Sequence, residues 1–382
     1  MARLNFPPAA LPASTEEVRQ RLRKHLADEL AAGSFTPRCD TWLSGHDSEF
    51  SRRLGAAGFL ALTWPKEYGG HERSALDRFV VVEELLAQGA PIAAHWISDR
   101  QSGPSILKHG NAELRQELLP GMARGEIYFS IGMSEPDAGS DLANIRSTAT
   151  KTDGGWLLNG TKVWTSQAHN NHYFIVLVRT TPLSEAGGAR HAGMTQFVMD
   201  LRVPGVEIRP IRLLSGHHHF NEVVMTDVFV PDYMLLGAEG NGWNQVIGEL
   251  AFERSGPERY LSTYPLLAAL IDALGTSPSA EAAAAVGMLV GRLASLRRLC
   301  ISVACALDAG ASPVTEAALV KDLGTQLERH VAEVARDLVP PGRSAQWDQL
   351  VEDAVLAAPG FTLRGGTNEI LRGIVARELG VR

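Results

Sequence analysis

Three short segments carry residue types suited to holding a flat, anionic ligand. The first is Gly132-Met133-Ser134-Glu135-Pro136-Asp137-Ala138-Gly139-Ser140-Asp141. Its glycines let backbone N–H groups converge and its serines add hydroxyl donors, which suits a pyrophosphate. Taken alone, the same string also reads as an ordinary turn. The second is Trp164-Thr165-Ser166. An indole can pack on a planar ring while hydroxyls bond its nitrogens or carbonyl oxygens, although a lone Trp is more often a core residue. The third is Gly365-Gly366-Thr367-Asn368-Glu369-Ile370. Paired glycines let a ligand approach the backbone, and Thr367 or Asn368 is equally a helix cap.

Other patterns point away from chemistry. His217-His218-His219 has no carboxylate or cysteine at metal spacing and reads as polar loop residues. Ser105-Ile-Leu-Lys108 lacks the companion motifs of an acylating serine. No G-x-G-x-x-G or P-loop occurs, so neither Rossmann nor Walker nucleotide binding is supported. A net charge of −7 argues against nucleic acid as the main partner. The three cysteines show neither metal nor redox spacing. No apolar run is long enough for a membrane span, and the start lacks a secretory pattern, so a cytoplasmic protein is expected.

The elements that must position these segments fall into three blocks, with expected domains 1–125, 126–237 and 238–382. The first is helical. Ser14 and Glu17 form a capping-box pattern ahead of Val18, Leu22, Leu26 and Leu30, 74–88 carries a Val/Leu stripe, and Asn111 caps a helix expected to stop at Pro120. The second is β: 155–164 reads as a hairpin turning at Asn159-Gly160, followed by strands over 173–179, 195–201, 222–226 and 228–230. Their spacing predicts a compact barrel or sandwich. The third is helical again, with 280–308 and a helix opened by Ser312-Pro313 expected in an antiparallel bundle.

The order and spacing of these segments resemble the acyl-CoA dehydrogenase family over nearly the whole chain. The resemblance rests on Ser134 to Asp141, on Leu158-Asn-Gly-Thr-Lys-Val-Trp164-Thr-Ser166, on Phe220-Asn-Glu-Val with Val230-Pro231 and Leu236-Gly237, and on Gly365 to Ile370 followed by Arg372. It implies an α+β fold: an N-terminal helical domain, a central β-barrel and a C-terminal four-helix bundle. It implies FAD, with Met133 and Ser134 along the pyrimidine side and Gly139 and Ser140 near the pyrophosphate. Trp164, Thr165 and Ser166 would flank the isoalloxazine, and Thr367 and Glu369 would contact the adenine half. Ser140, Arg254, Gly365 and Gly366 would face an acyl-CoA. The implied reaction is α,β-desaturation of the thioester, with an electron-transfer flavoprotein as acceptor.

One departure matters. Many family members place the catalytic glutamate where this chain has Gly365. A minority carries it on the first helix of the C-terminal domain, which assigns the base to Glu253, with Glu249 one turn earlier as the alternative. Gly365 keeps a backbone N–H for the thioester oxygen. Gly256-Pro257 is expected to kink that helix, and Arg254 is expected near a cleft mouth, facing a phosphate. The family's Arg-x-x-Phe-Gly segment is missing between Ile271 and Ala285. A homo-oligomer, dimer or tetramer, is expected, and a heteromer completing the FAD site stays open. Two further readings are a flavin oxidase or monooxygenase on the same fold, and a non-catalytic subunit.

Overall fold

The structure, a computed structural model, describes residues 4–381 apart from 186 and 188, and the side chains of 249–253 also lie outside the described residues. The chain forms two compact units: Met1–Gly45, Arg73–Pro91 and Leu250–Arg382 in one, His46–Glu72 and Ile92–Glu249 in the other.

In chain order the helices are α1 (Ser14–Ala31), α2 (Ser48–Ala56), α3 (Ala75–Ala87), α4 (Ala93–Ile97), α5 (Gly103–His109) and α6 (Ala112–Ala123). The strands are β1 (Phe129–Gly132), β2 (Thr148–Thr152), β3 (Gly155–Ser166), β4 (Tyr173–Arg179), β5 (Met194–Asp200), β6 (Val206–Arg212), β7 (His218–Pro231) and β8 (Leu235–Leu236). Then come α7 (Gly242–Arg254), α8 (Tyr264–Leu274), α9 (Ala280–Asp308), α10 (Val314–Leu338), α11 (Ala345–Phe361) and α12 (Asn368–Glu378). This is the expected succession of helices, sheet and helices.

The unit that holds the strands has one eight-stranded sheet in the order β6-β7-β3-β2-β4-β5-β8, with β1 paired to β4. No ladder joins β6 to β8 among the described residues, so the expected barrel is an open sheet. β4 is buried along most of its length, as an apolar strand with partners on both edges should be. The hairpin lies elsewhere than expected. β3 runs unbroken through Asn159-Gly160, and the turn into it is Asp153-Gly154, with Thr152 opposite Gly155 and Gly154 at φ 71°. Asn159-Gly160 instead faces a bulge in β7. Asn159 Oδ1 accepts the Asp227 N–H at 2.9 Å, and Asp227 is itself at φ 48°. A Cβ at Gly160 would sit 2.2 Å from Ser147 Oγ.

Two helix ends also differ from expectation. Ala13, not Ser14, takes the N-cap position of α1 and makes no side-chain cap; the capping box is Ser74 with Asp77, at the start of α3. α6 is capped by Asn111 as expected, but it runs past Pro120 to Ala123.

In the other unit, α10 packs against α8, α9, α11 and α12. Its buried stripe repeats every three or four residues and includes Val320, Lys321, Gly324, Thr325, Glu328 and Val331. α7 ends at Arg254 rather than kinking. Gly256 is extended (φ −87°, ψ 174°), and Pro257, which has no N–H to continue α7, starts a separate short turn.

Candidate active site

The first candidate segment follows β1. The Met133 carbonyl accepts Lys162 Nζ at 3.1 Å, and the Ser134 carbonyl accepts the Val163 N–H at 2.9 Å. Glu135 is the fixed point of the loop. Its carboxylate takes Lys162 Nζ at 2.7 Å, the Arg146 N–H at 2.6 Å and the Ser147 N–H at 3.0 Å. Lys162 is fully buried, and that burial draws its ammonium down to about 8 despite Glu135. Burial opposes the Glu135 charge too, but Lys162 and the two backbone donors outweigh it and hold the carboxyl low. Both groups are therefore ionised at neutral pH. The loop leaves Gly139 and Ser140 exposed, and a Cβ at Gly139 would meet nothing within 4 Å.

The second segment is made by a bulge. Between Lys162 and Thr165, β3 has one residue more than β7, whose matching positions are Val223 and Asn221. The extra residue reverses the alternation of faces. Trp164, which an unbroken strand would turn inward with Lys162, is instead 57% exposed and held at φ 59°. Thr165 turns inward and is fully buried. A Trp in the left-handed region is strained, and such strain persists only where the surroundings impose it. The Thr165 hydroxyl is buried without a hydrogen-bond partner among the described residues. An orphaned donor beside an exposed indole fits a bound ring system that offers acceptors. Ser166 closes the strand, its carbonyl accepting Ser130 Oγ at 2.8 Å.

The histidine run is strand rather than loop. His218 and His219 open β7, and His218 stacks on His169 with ring centroids 3.9 Å apart. Both rings bond Asn221 Oδ1, at 2.7 and 3.1 Å, while Asn221 Nδ2 donates to the Thr165 carbonyl.

The third segment lies in the helical unit. Gly365 and Gly366 are at φ 68° and 86°, conformations that favour glycine. The Gly365 carbonyl accepts Arg254 Nε at 3.1 Å. The Gly366 carbonyl accepts Lys321 Nζ at 2.8 Å, and the same ammonium donates to Asn368 Oδ1 at 2.8 Å. Both cations are buried, so Arg254 sits under the loop rather than at an open mouth. Their grip on the carbonyls leaves the N–H groups of 365–367 without a partner among the described residues. Thr367 caps α12, its Oγ1 accepting the Ile370 N–H. Glu369 is exposed, and its own N–H and the Thr367 hydroxyl hold its carboxyl below the usual range. The side chains of Glu253 and Glu249 lie outside the described residues.

Sequence pattern alone does not mark Lys162, Glu135, Lys321 and Thr325 as the groups that hold these segments. A signal of burial is present: Lys162 is in phase with the buried Trp156 and Leu158 of β3, and Lys321, Thr325 and Glu328 lie on the apolar stripe of α10.

Residues 13–126, 130–228 and 283–380 match the N-terminal, middle and C-terminal domains of acyl-CoA dehydrogenases. The chain is 32% identical to acyl-CoA dehydrogenase IpdE1 of Mycobacterium tuberculosis, over 95% of this chain and 97% of that one. The chain belongs to the acyl-CoA dehydrogenase family. It is an oxidoreductase of a flavoprotein family of lipid metabolism. Among solved structures it is similar to the Tcur3481-Tcur3483 steroid ACAD (TM-score 0.85, 25% identity, 97% of each chain). It is also similar to the ChsE4-ChsE5 complex from Mycobacterium tuberculosis (TM-score 0.82, 27% identity, 98% of each chain). No helix among the described residues is long and apolar enough to cross a membrane.

Proposed function

We propose that this chain is an FAD-dependent dehydrogenase that desaturates an acyl-CoA thioester between its α and β carbons, with Glu253 as the base. The observation that carries the reading is the Gly365-Gly366 segment: a glycine stands at the family's usual base position, and both carbonyls are tied back by buried cations. The peptide is thereby fitted to donate rather than to deprotonate. Bound FAD supplies the hydride acceptor. Met133, Ser134, Gly139, Ser140, Trp164, Thr165 and Ser166 hold it, together with Thr367 and Glu369. The Gly365 N–H receives the thioester oxygen as enolate charge develops there, and Glu253 takes the α-proton. Arg254 contributes through the Gly365 carbonyl. The domains are 1–125, 126–237 and 238–382, the setting is cytoplasmic, and an electron-transfer flavoprotein takes the electrons.

The test is anaerobic mixing of the FAD-loaded protein with a panel of acyl-CoAs. Bleaching of the flavin is expected, and Glu253→Gln should keep the flavin while stopping the bleaching. Full bleaching in that variant would remove Glu253 from its role, and rapid reoxidation by air would favour an oxidase.

A second reading concerns assembly. Two similar solved structures are described by paired names, Tcur3481-Tcur3483 and ChsE4-ChsE5, and one is called a steroid ACAD. With the missing Arg-x-x-Phe-Gly segment, this favours a partner subunit that completes the FAD site, and a bulky, branched or steroid-like acyl group. FAD stoichiometry and light-scattering mass of the chain alone would decide: a homo-oligomer with one FAD per chain excludes the partner.

A further inference from the structure

Two consecutive glycines cannot hold a peptide in place by themselves. Each has access to a wide range of φ and ψ, so the orientation of the Gly365 N–H must be imposed by its neighbours. On the C-terminal side that constraint is visible in Lys321 and Asn368. On the N-terminal side the adjoining residue is Arg364, whose guanidinium is held by an ion pair, a hydrogen bond and an aromatic face.

Its guanidinium Nη1 donates to Asp40 Oδ2 at 2.9 Å and lies 2.7 Å from Oδ1 in the same ion pair, and its Nη2 donates to Ser262 Oγ at 3.1 Å. The same group lies over the Trp42 ring at 4.2 Å and near the Phe361 ring at 4.9 Å. Those partners are themselves fixed. The Asp40 N–H donates to the Ser262 carbonyl at 2.8 Å, and Trp42 Nε1 donates to Ser262 Oγ at 2.9 Å. The Ser262 N–H donates to Glu328 Oε1 at 2.8 Å. Asp40 and Trp42 are buried, and Asp40 is held at φ 58°, in the left-handed region. A planar fork with bonds on two edges and a ring on its face has one orientation open to it.

We propose that Arg364 is a positioning residue for the reaction: seated on Asp40, Trp42 and Ser262, it fixes the Gly365 N–H where the thioester oxygen is received. The inference rests on the thioester reading above. It makes residues 40–42, near the start of the chain, part of the machinery that orients a donor near its end. Donors aimed in advance act on the charge that develops in the transition state, so loosening them lowers the chemical rate more than binding.

The test is stopped-flow flavin reduction of the FAD-loaded protein, under anaerobic conditions, by the acyl-CoA that bleaches it best. Arg364→Gln is expected to lower the limiting reduction rate about 10- to 100-fold. FAD content and the acyl-CoA concentration for half-saturation should stay within about 2-fold. Arg364→Lys, which keeps the charge but loses the fork and the stack, should fall between the two. Should Arg364→Gln fail to fold, Asp40→Asn and Trp42→Phe carry the same test, each with a smaller loss. A wild-type limiting rate in flavin-loaded variants overturns the inference alone. So does a loss that only tracks missing flavin. A wild-type protein bleached by no acyl-CoA overturns the thioester reading, and this inference with it.

Discussion

The bulged end of β3 and the Gly365-Gly366 segment present their candidate ligand-facing groups by opposite means. In β3 the ladder fixes the backbone, and one extra residue re-aims the side chains, Trp164 outward and Thr165 inward. In the glycine segment there are no side chains to aim, and long cationic side chains from elsewhere grip the carbonyls. A sheet positions groups through register. The glycine segment, which has no such register, is held by the buried cations Arg254 and Lys321.

Three measurements would break or sharpen that contrast. The largest effect is expected in the sheet. Lys162→Met strands the buried Glu135 carboxylate without its charge partner and should cost about 3–5 kcal/mol in urea unfolding, with loss of flavin. A variant as stable as the parent would show that the ladder alone holds the 133–146 loop.

The next effect tests the pH sensitivity of the helical unit. Burial raises the Glu328 carboxyl from 4.5 to about 7. Below pH 4.5 it is protonated in both states. As pH rises towards 7 the unfolded chain ionises first, so stability falls, and above 7 the penalty is complete at roughly 3 kcal/mol. Glu328→Gln should therefore gain stability over the parent at pH 8 but not at pH 4. Parallel stability curves between those limits would remove Glu328 as the titrating group.

The smallest effect concerns strain. Asn tolerates the left-handed region better than Trp, so Trp164→Asn should raise the unfolding free energy by about 1 kcal/mol while weakening flavin retention. An unchanged or lower stability would mean that the bulge carries no strain worth relieving.

Much of this architecture is legible in the sequence. The long apolar run gives α9 at the expected bounds, 280–308, and 173–179 is β4 as read. Local dipeptides misled. Asn159-Gly160 has the composition of a tight turn, yet Asn159 bonds across to Asp227 in the next strand, and the turn falls to Asp153-Gly154. Ser14 offers a cap that the chain does not use, and Pro120 sits in a last turn it does not end. The candidate ligand-facing segments were readable because their residue types are unusual. The groups that hold them were not, because a buried Lys or Arg looks like a surface residue until its partners, forty or three hundred positions away, are in place.

That separation bears on how the protein is made. Lys321 finds acceptors at Thr362, Gly366 and Asn368, 41 to 47 positions further along the chain. Until those residues leave the ribosome, α10 carries an ammonium that these carbonyls cannot yet receive. A nascent chain thus gains these acceptors and its glycine segment together. A chain ending before residue 362 would lack all three of these acceptors for the Lys321 ammonium.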